Sequence, residues 1–271
     1  MKLLSSFLFF FFIQSIFSQS ISTLKNNKMD IELNGNSGSA KIFLINSPNS
    51  NIFWNIGWQN IEEIQGTSII PNGKKISFLG NSFQMISTFN NIYDNQNNII
   101  GSYIQWIGFK GNTNISIQNE VFTYPKNISY GDTSFLITEN DLKFSINISN
   151  WIWSSSNVDG LLIKIKLSNN YNSKLNTNKN NNQFNVKEIS SYSNIGILDF
   201  PKLILLDGEI NEIKNFEQNG NIIQFIIPKF ISNAYYDPSF SIQSTNNEIS
   251  LANKYNIWYG FIFICFIFFL I

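Results

Sequence analysis

Leu142-Lys143-Phe144-Ser145-Ile146-Asn147-Ile148-Ser149 alternates without a break, apolar at the even positions and polar at the odd ones. Side chains of an extended chain point to opposite faces in turn, so this spacing describes a strand with one dry face and one wet face. The same period of two returns in Ile163-Lys164-Ile165-Lys166-Leu167. It returns again where Ile115, Ile117 and Val121 alternate with Asn114, Ser116 and Gln118. No long stripe at helical spacing competes with it. The expected fold class is all-β.

Working outward, the pattern predicts further strands over 41–45, 52–58, 76–79, 83–92, 99–109, 186–197, 203–206, 222–227 and 239–243. Asn34-Gly35, Asn72-Gly73 and Asn219-Gly220 supply residues that accept the positive φ of tight hairpin turns. The last pair is expected to join 210–216 to 222–227 as a hairpin, and Asp237-Pro238 after Tyr235-Tyr236 reads as a turn. Many short strands between polar turns, at this length, point to an antiparallel β-sandwich.

The stretch 168–183 has almost no apolar residue beyond Tyr171 and Leu175, so little burial is available to offset the entropy of ordering it. It reads as a disordered loop or linker. Residues 19–167 then carry the main sandwich, and 184–246 supply either the remaining strands of the same sandwich or a small second β unit.

The two ends have their own chemistry. Met1-Lys2 leads into the apolar run 3–17, with small residues at Ser15, Ser18 and Ser20, so 1–18 reads as a signal peptide cut after Ser18. Residues 257–271 are apolar and uncharged, preceded by the polar spacer 247–256. Small residues, a polar spacer and a hydrophobic tail make a lipid-anchor signal, with Ser244, Asn246, Asn247 and Ser250 as attachment candidates. The alternative is a short transmembrane segment from near Leu251, with Lys254 reaching back to the headgroups.

Composition narrows the chemistry. The chain has no histidine, and its 18 basic residues, all lysine, balance 18 acids. Histidine-dependent triads are therefore excluded, and catalytic zinc sites lose their commonest ligand. A zero formal charge gives no electrostatic reason to expect nucleic acid. Cys265, the single cysteine, lies in the apolar tail, so the remainder holds itself together without disulfides. No cofactor is implied.

Runs such as Asn178-Lys179-Asn180-Asn181-Asn182 accompany abundant Ile, Phe and Lys. In this composition, though in no motif, the chain resembles asparagine-rich secreted and surface proteins of social amoebae. The resemblance implies a surface setting and no particular activity.

Three sequons mark candidate N-glycosylation sites: Asn114-Ile115-Ser116, Asn127-Ile128-Ser129 and Asn147-Ile148-Ser149. Asn114 and Asn147 fall on the polar side of their strands, where a glycan disturbs no core. Trp151 and Trp153 lie on one side of an extended segment, either as a ligand platform for sugar rings or as caps on the core. Glu62-Glu63, Glu139-Asp141 and Asp207-Glu209 are the acids from which a glycosidase pair or a calcium site would be drawn. Together these features lead to an expected location on the extracellular face of the cell membrane. The expected function is non-catalytic adhesion or recognition of cell-surface or matrix glycans or proteins. A surface polysaccharide hydrolase using paired carboxylates, or a structural coat protein, is the alternative.

Overall fold

The computed structural model describes residues 22–34, 39–45, 53–79, 83, 85–130, 133–169, 174–179, 183–189 and 194–244. The expected signal peptide with Ser18, the attachment candidates Asn246, Asn247 and Ser250, and the tail 257–271 lie outside the described residues.

The chain enters through β1 (Ser22–Lys25), β2 (Met29–Asn34) and β3 (Ser39–Leu44), then the long β4 (Phe53–Gln65) and the short β5 (Ser68–Ile69) and β6 (Lys75–Ser77). Next come β7 (Met85–Tyr93), β8 (Ile99–Lys110), β9 (Thr113–Phe122), β10 (Lys126–Tyr130) and β11 (Thr133–Ile137). β12 (Asp141–Ser149) and β13 (Gly160–Asn169) precede β14 (Lys174–Lys179), β15 (Gln183–Ile189), β16 (Asn194–Pro201) and β17 (Leu203–Leu206). β18 (Glu209–Glu212), β19 (Lys214–Asn219), β20 (Ile222–Pro228), β21 (Asn233–Tyr236) and β22 (Ser239–Ser244) complete the series.

Two large antiparallel sheets pack against each other as a β-sandwich. Sheet A runs β1-β2-β3-β4-β13-β20-β19, with β5 and β6 also on β4. Sheet B is centred on β12: one edge pairs with β9, which continues into β8 and β7, and the other with β21 and β22. β10 and β11 form a separate hairpin. The opening stretch is thus the central strand of sheet B, with Leu142, Phe144, Ile146 and Ile148 buried against sheet A.

Aromatic rings make the contact between the layers. Trp58 of β4 meets Phe144 of β12 at 6.0 Å between ring centroids, Trp54 meets Phe240 of β22 at 5.8 Å, and Phe225 of β20 meets Tyr236 of β21 at 4.9 Å. Burying a large apolar side chain contributes about 1.5–3 kcal/mol, so these rings and the surrounding isoleucines stabilise a fold without disulfides. A bulge keeps the pattern in phase. β4 skips Gln59 between the pairs Asn60–Lys164 and Trp58–Ile165, which returns Trp58 and Ile61 to the same inner face.

Within the Asn-rich segment 168–183, β14 pairs with β15 at the end of sheet B. Backbone pairing of this kind is open to every residue type. Strands on both sides of that segment share sheets, β20 beside β13 and β22 beside β12. The stretch 186–197 is divided between β15 and β16.

At the hairpin of β19 and β20 Asn219 pairs with Ile222, so Gly220 (φ +59°) and Asn221 form the corner. Its entering arm is β19 alone, because β18 belongs to sheet B. Asp237-Pro238 is no chain reversal. β21 and β22 both pair with β12 and form one course interrupted there, with Pro238 O accepting from Phe144 N at 3.1 Å. Proline lacks the N–H a ladder needs, and an interruption accommodates it.

Candidate functional site

Alternation places Lys143, Ser145, Asn147 and Ser149 on the outer face of β12, away from the core. The neighbouring strands set polar partners beside them: Glu120 of β9 opposite Lys143, Gln118 opposite Ser145, and Tyr103 of β8 opposite Glu120. On the other edge Tyr235 lies opposite Asn147, and the interruption brings in Asp237. The wet face thereby gathers charge, amide and phenol groups.

This face is only partly wet. The side chains of Lys143 and Asp237 are 4% and 2% exposed, and Lys143 Nζ lies 2.9 Å from Asp237 Oδ2 and 3.9 Å from Glu120 Oε1. Gln118 Nε2 donates to Glu120 Oε1 at 2.6 Å. Burial pushes the Asp237 carboxyl up to about 6, against the pull of the Lys143 ammonium and with the help of the Glu120 charge. Burial, then the charge on Asp237, likewise raises the Tyr235 phenol. The lysine holds two carboxylates together inside a low-dielectric surface layer.

A cavity of about 400 Å³ opens beside this network. Tyr103, Gln118, Glu120 and Lys143 form its sheet-side lining with Ile92 and Phe122, while Lys126 and Asn127 of the β10–β11 hairpin form the other wall. Lys126 Nζ stands 5.8 Å from the centroid of the Phe122 ring. The base of the hairpin is fixed through Asn26. Its amide donates to Phe122 O at 3.1 Å and Glu139 O at 2.8 Å, while its oxygen accepts from Lys28 N and Met29 N, tying sheet A to sheet B.

The three sequon asparagines are placed differently. Asn127 is exposed and lines the cavity. Asn114 and Asn147 are half-buried on the outer face of sheet B, Asn114 between Phe109 and Ser149, and Asn147 between Ser116 and Tyr235. The Oδ1 atoms of Asn114 and Asn147 are buried without a hydrogen-bond partner among the described residues.

Of the two readings of the tryptophans, platform or core cap, the packing is that of a cap. Trp151 is 3% exposed and belongs to the core cluster, and Trp153 packs on that cluster 6.2 Å from it. Each indole N–H is spent inside the protein: Trp151 Nε1 donates to Glu63 Oε1 at 3.0 Å, and Trp153 Nε1 to Phe230 O at 3.0 Å. Lys74 Nζ covers the Trp151 ring at 4.3 Å. A sheltered ring with a satisfied N–H offers little to an incoming sugar.

The acids singled out by sequence are each engaged locally. Glu62 and Glu63 are consecutive in β4 and point to opposite faces, so they form no pair. Glu62 meets Lys75 at 2.6 Å and Lys164 at 2.9 Å; burial raises its carboxyl, but these ammoniums outweigh that and hold it low. Glu63 is buried, yet hydrogen bonds from Ser154, Lys74 N and Trp151 hold its carboxyl low as well.

Glu139 pairs with Lys28 at 3.8 Å, and Asp141, raised by burial, accepts from Thr138 N at 2.6 Å and Thr138 Oγ1 at 2.8 Å. Asp207, which with Gly208 forms a hairpin corner at positive φ, accepts from the backbone N–H groups of Ile231, Ser232 and Asn233. Glu209 is exposed where β18 begins. Among the described residues no group of three or more metal-ligating side chains is assembled.

Strand alternation marked Gln118, Lys143 and Asn147 as outward-facing. It gave no sign that Glu120 and Asp237 meet at Lys143, because that contact depends on which strands flank β12. No protein-family model matches this chain, and no curated protein matches it significantly.

Proposed function

We propose that this chain is an extracellular glycoprotein held at the cell membrane, and that the cavity on the outer face of sheet B recognises a saccharide. The observation carrying this reading is the lining itself. Half-buried Tyr103 offers a ring face, Gln118 and Asn127 amides, Glu120 a carboxylate and Lys143 an ammonium, around about 400 Å³, with the buried Phe122 ring beneath. A sugar presents the complementary mixture, an apolar C–H face with hydroxyls that both donate and accept. Cavities of roughly 300–1,000 Å³ with a few convergent polar groups are the usual form of small-ligand sites.

Binding is favoured over hydrolysis because Lys143 compensates both Glu120 and Asp237, leaving neither as an unencumbered acid or base beside a bound sugar. The membrane part of the proposal rests on the apolar run 3–17 and the tail 257–271. Ser244 is the last residue of β22 and pairs with Asn194. Attachment of a lipid beyond it, at Asn246, Asn247 or Ser250, leaves the sheet intact.

Screening the purified full chain against a panel of mono- and disaccharides tests the recognition reading, with saturable binding of at least one sugar expected and none contradicting it. Intact mass after phospholipase release tests the anchor. A product ending near Asn246 is expected, and retention of Ile271 contradicts it.

A further inference from the structure

We infer that an N-linked glycan on Asn127 docks into this same cavity and controls access to it. The inference rests on the reading of the cavity as a saccharide site. Asn127 is unlike the other two sequon asparagines in being exposed, and it is one of the residues lining the cavity. A sugar joined to its Nδ2 therefore begins its course at the mouth of the cavity.

The modification is an ordinary group transfer. The Asn127 amide nitrogen bonds to the anomeric carbon of a lipid-pyrophosphate-linked oligosaccharide, the bond from that carbon to the pyrophosphate oxygen breaks, and the amide loses one proton. The first sugar of such a glycan is an N-acetylglucosamine. Its acetamide and hydroxyls can meet Gln118, Glu120 and Lys143, and its C–H face can lie on Tyr103, all of which line the cavity.

Attachment supplies the remaining argument. A ligand on a short tether experiences an effective concentration on the order of millimolar, so a site whose intrinsic dissociation constant lies below that range is occupied mostly by its own glycan. An external sugar must displace it. Glycosylated and unglycosylated chains thus differ in apparent affinity without any change in the residues of the site.

The test compares the full chain from a glycosylating host with Ser129→Ala and Asn127→Gln, and with folded wild type from which an amidase has removed the whole glycan, leaving an aspartate. Intact mass first reports occupancy at Asn127, and an unmodified Asn127 overturns the inference. With occupancy established, the expected result is amide exchange roughly tenfold slower across 103 and 118–122 in the glycosylated protein. Free chitobiose should bind more tightly once the glycan is lost. Equal exchange and equal chitobiose affinity in all forms overturn the inference even if a saccharide binds. If no form binds any saccharide, the saccharide reading itself fails. The deglycosylated wild type folds before its glycan is removed and keeps the test decisive if either variant folds poorly.

Discussion

Lys143 Nζ lies 2.9 Å from Asp237 Oδ2, with both side chains almost wholly withdrawn from water on the face that alternation assigns to solvent. Removing one member of a buried pair strands the other charge, which typically costs about 3–5 kcal/mol. Lys143→Met is expected to destabilise the fold by that order. The double variant Lys143→Met with Asp237→Asn should recover much of the loss. Denaturant unfolding of the single and double variants checks the coupling.

The pH dependence of stability follows from the same carboxyl. Asp237 is raised from 3.8 to about 6, so between those values the folded chain keeps a proton that the unfolded chain has released. Its contribution is fully present below the unfolded value and is lost as pH rises through about 6. Asp141, also raised by burial, acts in the same sense. Glu62, Glu63 and Asp207 act oppositely, because their depressed folded values make stability that is lost as pH falls through them. Thermal melts should therefore show rising stability from about pH 7 to about pH 5 and a decline below about pH 4. Asp237→Asn should flatten the first limb.

Glu63 fastens the 150–159 connection to the end of the sandwich through Trp151 Nε1 and Ser154 N, each at 3.0 Å. Glu63→Ala leaves the buried Trp151 N–H without an acceptor and should cost about 1–3 kcal/mol. Glu63→Gln keeps one acceptor and should cost less. Faster amide exchange at Ser154 in Glu63→Ala would locate the damage.

Gly196 of β16 lies against Trp54 of the facing sheet. A Cβ there would stand 2.7 Å from Trp54 Nε1 and 3.0 Å from Phe240. Gly196→Ala forces those rings apart and should destabilise by about 1–3 kcal/mol, read from the unfolding midpoint.

The strands were legible where one face is dry. The alternation of 142–149 and 163–167 gave both the strand and its buried side, because burial selects apolar residues at every second position. β14 was illegible, since its order comes from pairing with β15 and no apolar face announces it. The Asp237-Pro238 interruption looked like a turn because local chemistry is the same in both, and only the shared partner β12 distinguishes them. Of the site, outward-facing Gln118 and Lys143 were readable. The meeting of Glu120, Lys143 and Asp237 was not, because it joins residues of β9, β12 and the break after β21 through long-range pairing. For Trp151 and Trp153, that Glu63 accepts from the first indole N–H and Phe230 O from the second could be decided only in three dimensions.

The central claim, that the cavity lined by Tyr103 and Gln118 is a saccharide site, is tested most directly by calorimetric titration of the best-binding sugar from the panel. Wild type, Tyr103→Ala and the surface control Lys166→Ala should be compared. The account predicts that Tyr103→Ala weakens binding roughly tenfold or more, as expected for loss of an aromatic contact face, while Lys166→Ala leaves it unchanged. Undiminished binding by Tyr103→Ala would contradict it.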